Sequence, residues 1–182
     1  YLYYNGRSFK LWEGSWGIDR VVHTGYLWGH HYEESLKSRE ESRKILFGTN
    51  QSRRFVVSLL DEKTDEWHVS EEDLCNFYRV ATRLLERRPD TIVVVKPKRS
   101  AGFRDISLVM DLLAPYVSSG RLVMWDQRPT DAQEVIAISD VIVSMWMGVP
   151  YLEAICCGKQ GFNYDPAKHH SSPIYAKAHG KI

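Results

Sequence analysis

The stretch SDVIVSMWMGVPYLEAICCGK, residues 139–159, carries the strongest indication of the fold. Its β-branched run, residues 141–144, is followed by a loop and then by an apolar segment that Pro150 opens and Gly158 closes. Proline suits the first turn of a helix, and glycine suits the residue just past its end. The stretch therefore predicts a strand, a loop and a short helix, with Glu153 in the first turn of that helix.

Other short runs have the same β-branched or aromatic character: residues 55–60, 92–95, 122–125 and, more weakly, 161–164. Between these runs the apolar residues recur at helical spacing. Ser70 with Asp73 predicts the start of the first helix, and Thr130 with Gln133 predicts a capping box on the third. Strands that are apolar on both faces and joined by helices favour a covered parallel sheet. The predicted fold is α/β, a Rossmann-like open parallel sheet of about five strands with helices on both faces.

Composition limits the classes of function. The chain has 182 residues, of which 43% are apolar, so it can bury one substantial core. A net charge of +1 gives no electrostatic case for nucleic acid. The longest apolar run is too short to cross a bilayer and no signal-peptide pattern opens the chain, which favours a cytoplasmic location, peripheral at the inner membrane face if a partner lies there. We expect residues 1–47 to be the tail of a preceding domain plus a linker, and residues 48–182 to be the Rossmann-like domain.

The predicted strand ends indicate where a ligand binds. In open parallel sheets, ligands bind beyond the carboxyl ends of the strands. Lys96 and Arg128 place cations at two of these ends, and a third end leads into a helix whose free N–H groups favour an anion. A diphosphate suits such a site. Backbone amides of the loop from Ser144 and Met145 to Gly148 would approach it closely, because Gly148 has no side chain.

The carboxylate of Glu153 could accept hydrogen bonds from two ribose hydroxyls at that position. Each of these residues also has a simpler interpretation. An acidic residue in a first turn is favoured by the helix dipole alone, by about 0.3–1 kcal/mol. Lys96 could be a solvated strand end, and Arg128 could be a surface charge in a turn. We interpret Asp61 and the following Glu62 as part of a solvated loop.

Motifs of common cofactors are missing from the sequence. No Gly-x-Gly-x-x-Gly follows a strand and no P-loop motif occurs, so we expect neither a nicotinamide nor a flavin cofactor, and no P-loop nucleotide hydrolysis. The histidine pairs, His30 with His31 and His169 with His170, lack the i, i+4 spacing with which a helix presents two ligands to one ion. We expect no metal site.

Several short motifs together resemble the C-terminal domain of GT-B glycosyltransferases of the bacterial surface-polysaccharide type and, more distantly, CDP-glycerol glycerophosphotransferases. The motifs are Lys96-Pro97 after a strand, Ser139-Asp140 before the next, Glu153-Ala154 with Gly158-Lys159, and Tyr164-Asp165-Pro166. The segment His23-Thr24-Gly25-Tyr26 is similar to the end of the N-terminal domain in such proteins.

The resemblance implies that a nucleotide-sugar is the donor substrate, with no cofactor and no metal. On matching positions, Glu153 would hold the ribose, residues 144–148 the diphosphate, and Lys96 would add positive charge. Many relatives have Lys-Pro-His where this chain has Lys98 in the third position, so a role for that histidine does not carry over. The catalytic base of the fold generally lies in the N-terminal domain, so the catalytic residues stay unknown and the chain alone could be inactive.

The sequence therefore predicts the donor-binding half of a glycosyltransferase that extends a surface polysaccharide. Its partners would be a nucleotide-sugar, a glycan or lipid-linked acceptor and the missing N-terminal domain, with no nucleic acid. Two alternatives stay open. One is a sugar-nucleotide epimerase or a CDP-glycerol-type phosphotransferase, and the other is a non-catalytic binding or scaffolding module whose aromatic N-terminal segment docks a partner.

Overall fold

The structure is a computed structural model, and it describes residues 2–3, 22–23, 29–49, 54–61, 70–98, 106–125, 132–145 and 149–165. The strands are β1 (Leu2–Tyr3), β2 (Val22–His23), β3 (Phe55–Leu60), β4 (Thr91–Lys96), β5 (Leu122–Met124), β6 (Val141–Met145) and β7 (Gln160–Tyr164). The helices are α1 (Gly29–Lys37), α2 (Arg39–Phe47), α3 (Glu71–Arg87), α4 (Ser107–Ser118), α5 (Ala132–Ile138) and α6 (Val149–Cys156).

The centre of the fold is a five-stranded sheet in the order β5-β4-β3-β6-β7, and every strand pair in it is parallel. The predicted α/β, Rossmann-like arrangement is confirmed. The chain builds outward from β3 to β5 and then returns to the other side of β3 with β6. This reversal makes the carboxyl ends of β3 and β6 the topological switch point, where open α/β sheets bind their ligands.

The sequence produces these elements through ordinary local signals. The side chain of Ser70 accepts a hydrogen bond from the Asp73 N–H at 3.1 Å, and the Asp73 carboxylate accepts one from the Ser70 N–H, so the predicted cap of α3 is a complete capping box. Gly158 adopts a φ of 70° just past α6, a left-handed conformation that glycine adopts readily. The helix of residues 149–156 therefore ends where the sequence predicts.

The sheet is covered on both faces. One face packs against α3 and α4, and its buried cluster includes Leu59, Phe77, Tyr78, Val95 and Met145. The other face packs against α5 and α6, and its buried cluster includes Val56, Leu60, Ile136, Ile142 and Ala154. The strands are consequently apolar on both sides, as expected for parallel strands between helical layers.

Helices α1 and α2 pack on this second face, since Tyr32 and Phe47 belong to its buried cluster. The sequence did not predict these two helices. The division of the chain at residue 47 stays a prediction, but the side chains of Tyr32 and Phe47 share a core with the sheet. The short strands β1 and β2 form a separate parallel pair.

Asp140 joins α2 to the amino ends of the strands. Its carboxylate accepts hydrogen bonds from Arg39 at 2.7 Å, from Arg43 at 3.3 Å and from the backbone N–H of Val56 at 2.8 Å. Arg43 is buried and also donates to the carbonyl oxygen of Arg54. This network lies at the edge of the sheet opposite the switch point, so it supports the fold away from the predicted binding site.

Candidate functional site

Strand register places a row of residues across the carboxyl edge of the sheet. Leu60 pairs with Lys96 on one side and with Ser144 on the other, and Ser144 pairs in turn with Asn163. Paired residues of parallel strands lie on the same face about 4.8 Å apart, so Lys96 and Ser144 are roughly 10 Å apart at their Cα atoms. We call these four residues the carboxyl-edge row. The row lies on the sheet face that α5 and α6 cover.

The predicted phosphate loop begins at the end of β6. Ser144 is buried, and its hydroxyl donates to the carbonyl oxygen of Met145 at 3.3 Å. Met145 is also buried, but it belongs to the cluster on the α3 and α4 face, opposite the carboxyl-edge row. Side chains alternate along a strand, which explains the separation. The backbone of Met145, but not its side chain, can therefore take the predicted part in binding a diphosphate. Gly148 lies outside the described residues.

Lys96 occupies the end of β4 and is half-buried. Two residues later, the backbone N–H of Lys98 donates to Asp61 Oδ1 at 2.7 Å, so the segment after β4 is held against the end of β3. Arg128, the other predicted cation, lies outside the described residues. Among the described residues, Lys96 at the end of β4 and Lys98 after it are therefore cations beside the switch point.

Asp61 differs from its prediction. It was expected in a solvated loop, but it is 8% exposed and accepts a hydrogen bond from the Tyr78 hydroxyl at 2.7 Å. Burial, followed by the nearby Asp61 carboxylate, raises the pKa of Tyr78 well above its usual range. The prediction was wrong because the aromatic donor comes from α3, 17 positions along the chain, and supplies the partner that a buried carboxylate needs. Glu62 lies outside the described residues.

Glu153 is buried and forms a side-chain pair. Gln133 Nε2 donates to Glu153 Oε2 at 3.1 Å, and the two residues are 4% and 5% exposed. The helix α6 begins at Val149 and has no acidic residue in its first turn, so the prediction that placed Glu153 there was wrong. Since Glu153 is the fifth residue of α6, the helix dipole at its N-terminus no longer accounts for a carboxylate at this position.

Gln133 was predicted as a capping residue of α5 and not as a site residue. The helix starts at Ala132, and Thr130, the other half of the predicted capping box, lies outside the described residues, so the box stays a prediction. The side-chain oxygen of Gln133 has no hydrogen-bond partner within the described parts of the chain. A Thr-x-x-Gln pattern was the only local signal, and it indicated a cap. The amide instead reaches Glu153, which a search for polar residues near both helix starts could have found.

The structure thus brings three predicted side chains to one edge and one face of the sheet. Lys96 and Ser144 belong to the carboxyl-edge row, and Glu153 lies near the start of the helix that follows β6. Its partner Gln133 is near the start of α5, which follows β5. The arrangement combines a cation with oxygen acceptors, a combination that suits a ligand with a phosphate and hydroxyl groups.

Two further observations concern the described ranges only. No group of three or more His, Cys, Asp or Glu side chains there lies close enough together to hold a metal ion. Every helix there is too short or too polar to span a membrane.

Comparison with known proteins gives a likeness of fold. No protein-family model matches the sequence, and no curated protein matches it significantly. Two solved structures of Anabaena HepE, one with UDP and glucose and one with UDP-glucose, are similar to the chain. Their sequence identities are 13% and 14%, their TM-scores are 0.51 and 0.53, and each match covers 89% of this chain.

The chain spans 43% of the length of the HepE chains that it matches. A likeness at such low sequence identity is evidence of the fold alone. The chain therefore shares an α/β, Rossmann-like fold with part of the HepE chain.

Proposed function

We propose that the chain is the donor-binding half of a glycosyltransferase that transfers a sugar from a nucleotide-sugar to a growing surface polysaccharide. The observation that carries the proposal is the gathering of Lys96, Ser144 and Glu153 on one face of the sheet beside its topological switch point. The likeness to HepE supports it, because HepE was solved with UDP-glucose.

In this proposal the diphosphate lies along the carboxyl-edge row. Lys96 provides a positive charge, and backbone amides of residues 144–148 donate hydrogen bonds. Breaking a bond between a sugar and a phosphate leaves negative charge on the departing diphosphate. Fixed cations and amides that are aimed at this charge lower the barrier of transfer, without a metal ion.

Glu153 binds the ribose of the donor. The two oxygens of a carboxylate have about four acceptor sites, so Glu153 can accept hydrogen bonds from a ligand in addition to the one that Gln133 donates. The acceptor, a glycan or a lipid-linked glycan, and the catalytic base belong to a preceding domain in a two-domain enzyme. We place the enzyme in the cytoplasm, where nucleotide-sugars are substrates.

Calorimetric titration with UDP, GDP and CDP tests the proposal. We expect one of the three nucleotides to bind, and Glu153→Gln and Lys96→Met each to weaken it at least about tenfold, the factor for roughly 1.4 kcal/mol. Lys44→Met is the matched control, because Lys44 is an exposed lysine of α2 and does not belong to the row. It should leave the affinity unchanged.

Failure of all three nucleotides to bind, with the preceding domain present, would contradict the proposal. If a nucleotide binds, products formed from a labelled donor distinguish the transferase from its alternatives. A polyol phosphate product would indicate a CDP-glycerol-type phosphotransferase, and an isomerised nucleotide-sugar would indicate an epimerase.

A further inference from the structure

The side-chain amide of Gln133 is buried, and only one of its two polar atoms forms a hydrogen bond within the described residues. Its Nε2 donates to Glu153 at 3.1 Å, whereas its Oε1 is buried and has no hydrogen-bond partner there. A buried acceptor without a donor costs about 1–3 kcal/mol. Native proteins rarely leave such an atom unpaired, and a ligand is one explanation for an exception.

The unpaired oxygen lies beside a second acceptor. The two polar atoms of one amide group are neighbours, so Oε1 is close to the Glu153 carboxylate to which Nε2 donates. An ionised carboxylate and an amide carbonyl are both acceptors only. A pair of adjacent acceptors is complementary to a group with two adjacent donors, and a vicinal diol is such a group.

Gln133 and Glu153 also lie at the edge of the sheet where the proposed function places the ligand. Gln133 is the second residue of α5, and α5 follows β5, while Glu153 is in the helix that follows β6. Both helices begin where strands end, at the edge that contains the carboxyl-edge row. Ser144 and its register partner Asn163 lie on the sheet face that these helices cover, and Asn163 Oδ1 is a further buried acceptor without a partner in the described ranges.

We infer that Gln133 belongs to the donor site, where its amide orients Glu153 and its carbonyl oxygen accepts a hydrogen bond from one hydroxyl of a ribose diol. The inference rests on the proposed function and adds a residue to it. A purely structural pair would tie α5 to α6 and would affect stability, but it would not distinguish a ribose from a deoxyribose.

The test compares a nucleoside diphosphate with its 2′-deoxy form. The probe is whichever of UDP, GDP and CDP the unmodified chain binds most tightly. We expect the chain to bind the ribose form at least about tenfold more tightly than the deoxy form, since a site that hydrogen-bonds a hydroxyl rejects an analogue without it. Gln133→Met should reduce this ratio to about threefold or less.

Two further variants keep the test decisive. Gln133→Asn retains an amide but withdraws its oxygen by one methylene, so it should also reduce the ratio, and it serves if the Met variant does not fold. Glu134→Gln is the matched control, because Glu134 is the adjacent, half-buried residue of α5. It should keep the ratio of the unmodified chain.

The outcomes separate the two proposals. Binding of a nucleotide with a ratio that neither Gln133 variant changes would overturn the role of Gln133 and leave the proposed function standing. Equal binding of the ribose and deoxy forms by the unmodified chain would do the same. Absence of binding by all three nucleotides, with the preceding domain present, would overturn both.

Discussion

At the scale of single residues, Arg43 is a buried cation whose partner lies far along the chain. Its guanidinium group lies 3.3 Å from the carboxylate of Asp140, a residue 97 positions away in sequence. We predict that Asp140→Asn lowers the free energy of unfolding by about 3 kcal/mol, because it leaves the Arg43 charge buried and uncompensated. Urea denaturation measures the change.

The control for this prediction is Asp111→Asn, an exposed carboxylate of α4. It should change the free energy of unfolding by no more than about 0.5 kcal/mol. Equal urea midpoints for Asp140→Asn and the unmodified chain would show that the charge of Arg43 does not need this partner.

Lys159 is a second residue with a testable electrostatic state. Its ammonium group donates to the carbonyl oxygens of Ala137 at 3.2 Å and Ser139 at 2.7 Å. Burial, and then the positive charge of Arg39, lowers the pKa of Lys159 to about 8 from 10.5. The folded state therefore binds fewer protons at this group than the unfolded state between these two pH values.

It follows that the contribution of Lys159 to the free energy of unfolding rises as the pH rises above 8. We predict a rise between about pH 7.5 and 9.5 in urea denaturation, below the range in which tyrosines ionise. Lys159→Met should remove this rise, and Lys44→Met should retain it. An unchanged pH dependence in Lys159→Met would contradict the lowered pKa of Lys159.

Sequence reasoning at the residue scale found part of the site. Lys96, Ser144 and Glu153 were placed together because the carboxyl ends of parallel strands meet at one edge. The contacts of Asp61 and Gln133 were missed, because each depends on a side chain from another element, 17 and 20 positions away. Patterns of neighbouring residues do not contain such contacts.

At the scale of elements, the sheet and its helices were predictable and the first two helices were not. The central strands β3 and β4 are mostly apolar and almost fully buried, and α3 has a complete capping box. In α2 only Arg43 and Phe47 are buried, so the helix has almost no apolar stripe. It is attached to the sheet through Asp140, a contact that becomes visible only after the chain has folded.

The packing of α6 on β7 permits a prediction about one glycine. A Cβ atom at Gly161 would lie 3.0 Å from Tyr151 Cε2 and 3.1 Å from Ile155 Cδ1. Tyr151 is fully buried and has little room to move. We predict that Gly161→Ala lowers the free energy of unfolding by about 1–3 kcal/mol, the usual cost of overpacking.

Thermal denaturation followed by circular dichroism would measure this loss. Gln160→Ala, at the adjacent exposed position of β7, is the control and should leave the melting temperature nearly unchanged. A melting temperature of Gly161→Ala equal to or above that of the unmodified chain would show that α6 can shift away from β7.

At the scale of the whole molecule, α1 and α2 contribute to one core with the sheet. Tyr32 and Phe47 lie in the same buried cluster as Val56 and Ile136. We predict that a chain of residues 48–182 exposes this cluster, binds a hydrophobic dye and loses cooperative unfolding, whereas a chain of residues 29–182 unfolds cooperatively. The comparison also tests the predicted domain division at residue 47.

If the chain of residues 48–182 unfolds cooperatively at the same temperature as the longer one, α1 and α2 are dispensable and the predicted division holds.

The parallel α/β arrangement of the sheet and its helices, by contrast, was predicted from the sequence. Alternating strands and crossover helices leave few arrangements of a parallel sheet, and right-handed crossovers restrict them further.

The outer strand β7 has a neighbour, β6, on one side only within the described residues, and Phe162 on this strand is 53% exposed. Unpaired backbone groups along such a border are a template for another chain. We therefore expect concentrated solutions of this chain to scatter light through self-association, and Phe162→Lys to suppress it, since a charge on a border strand opposes stacking of copies. Equal light scattering by the Phe162→Lys variant and the unmodified chain would show that self-association does not depend on Phe162.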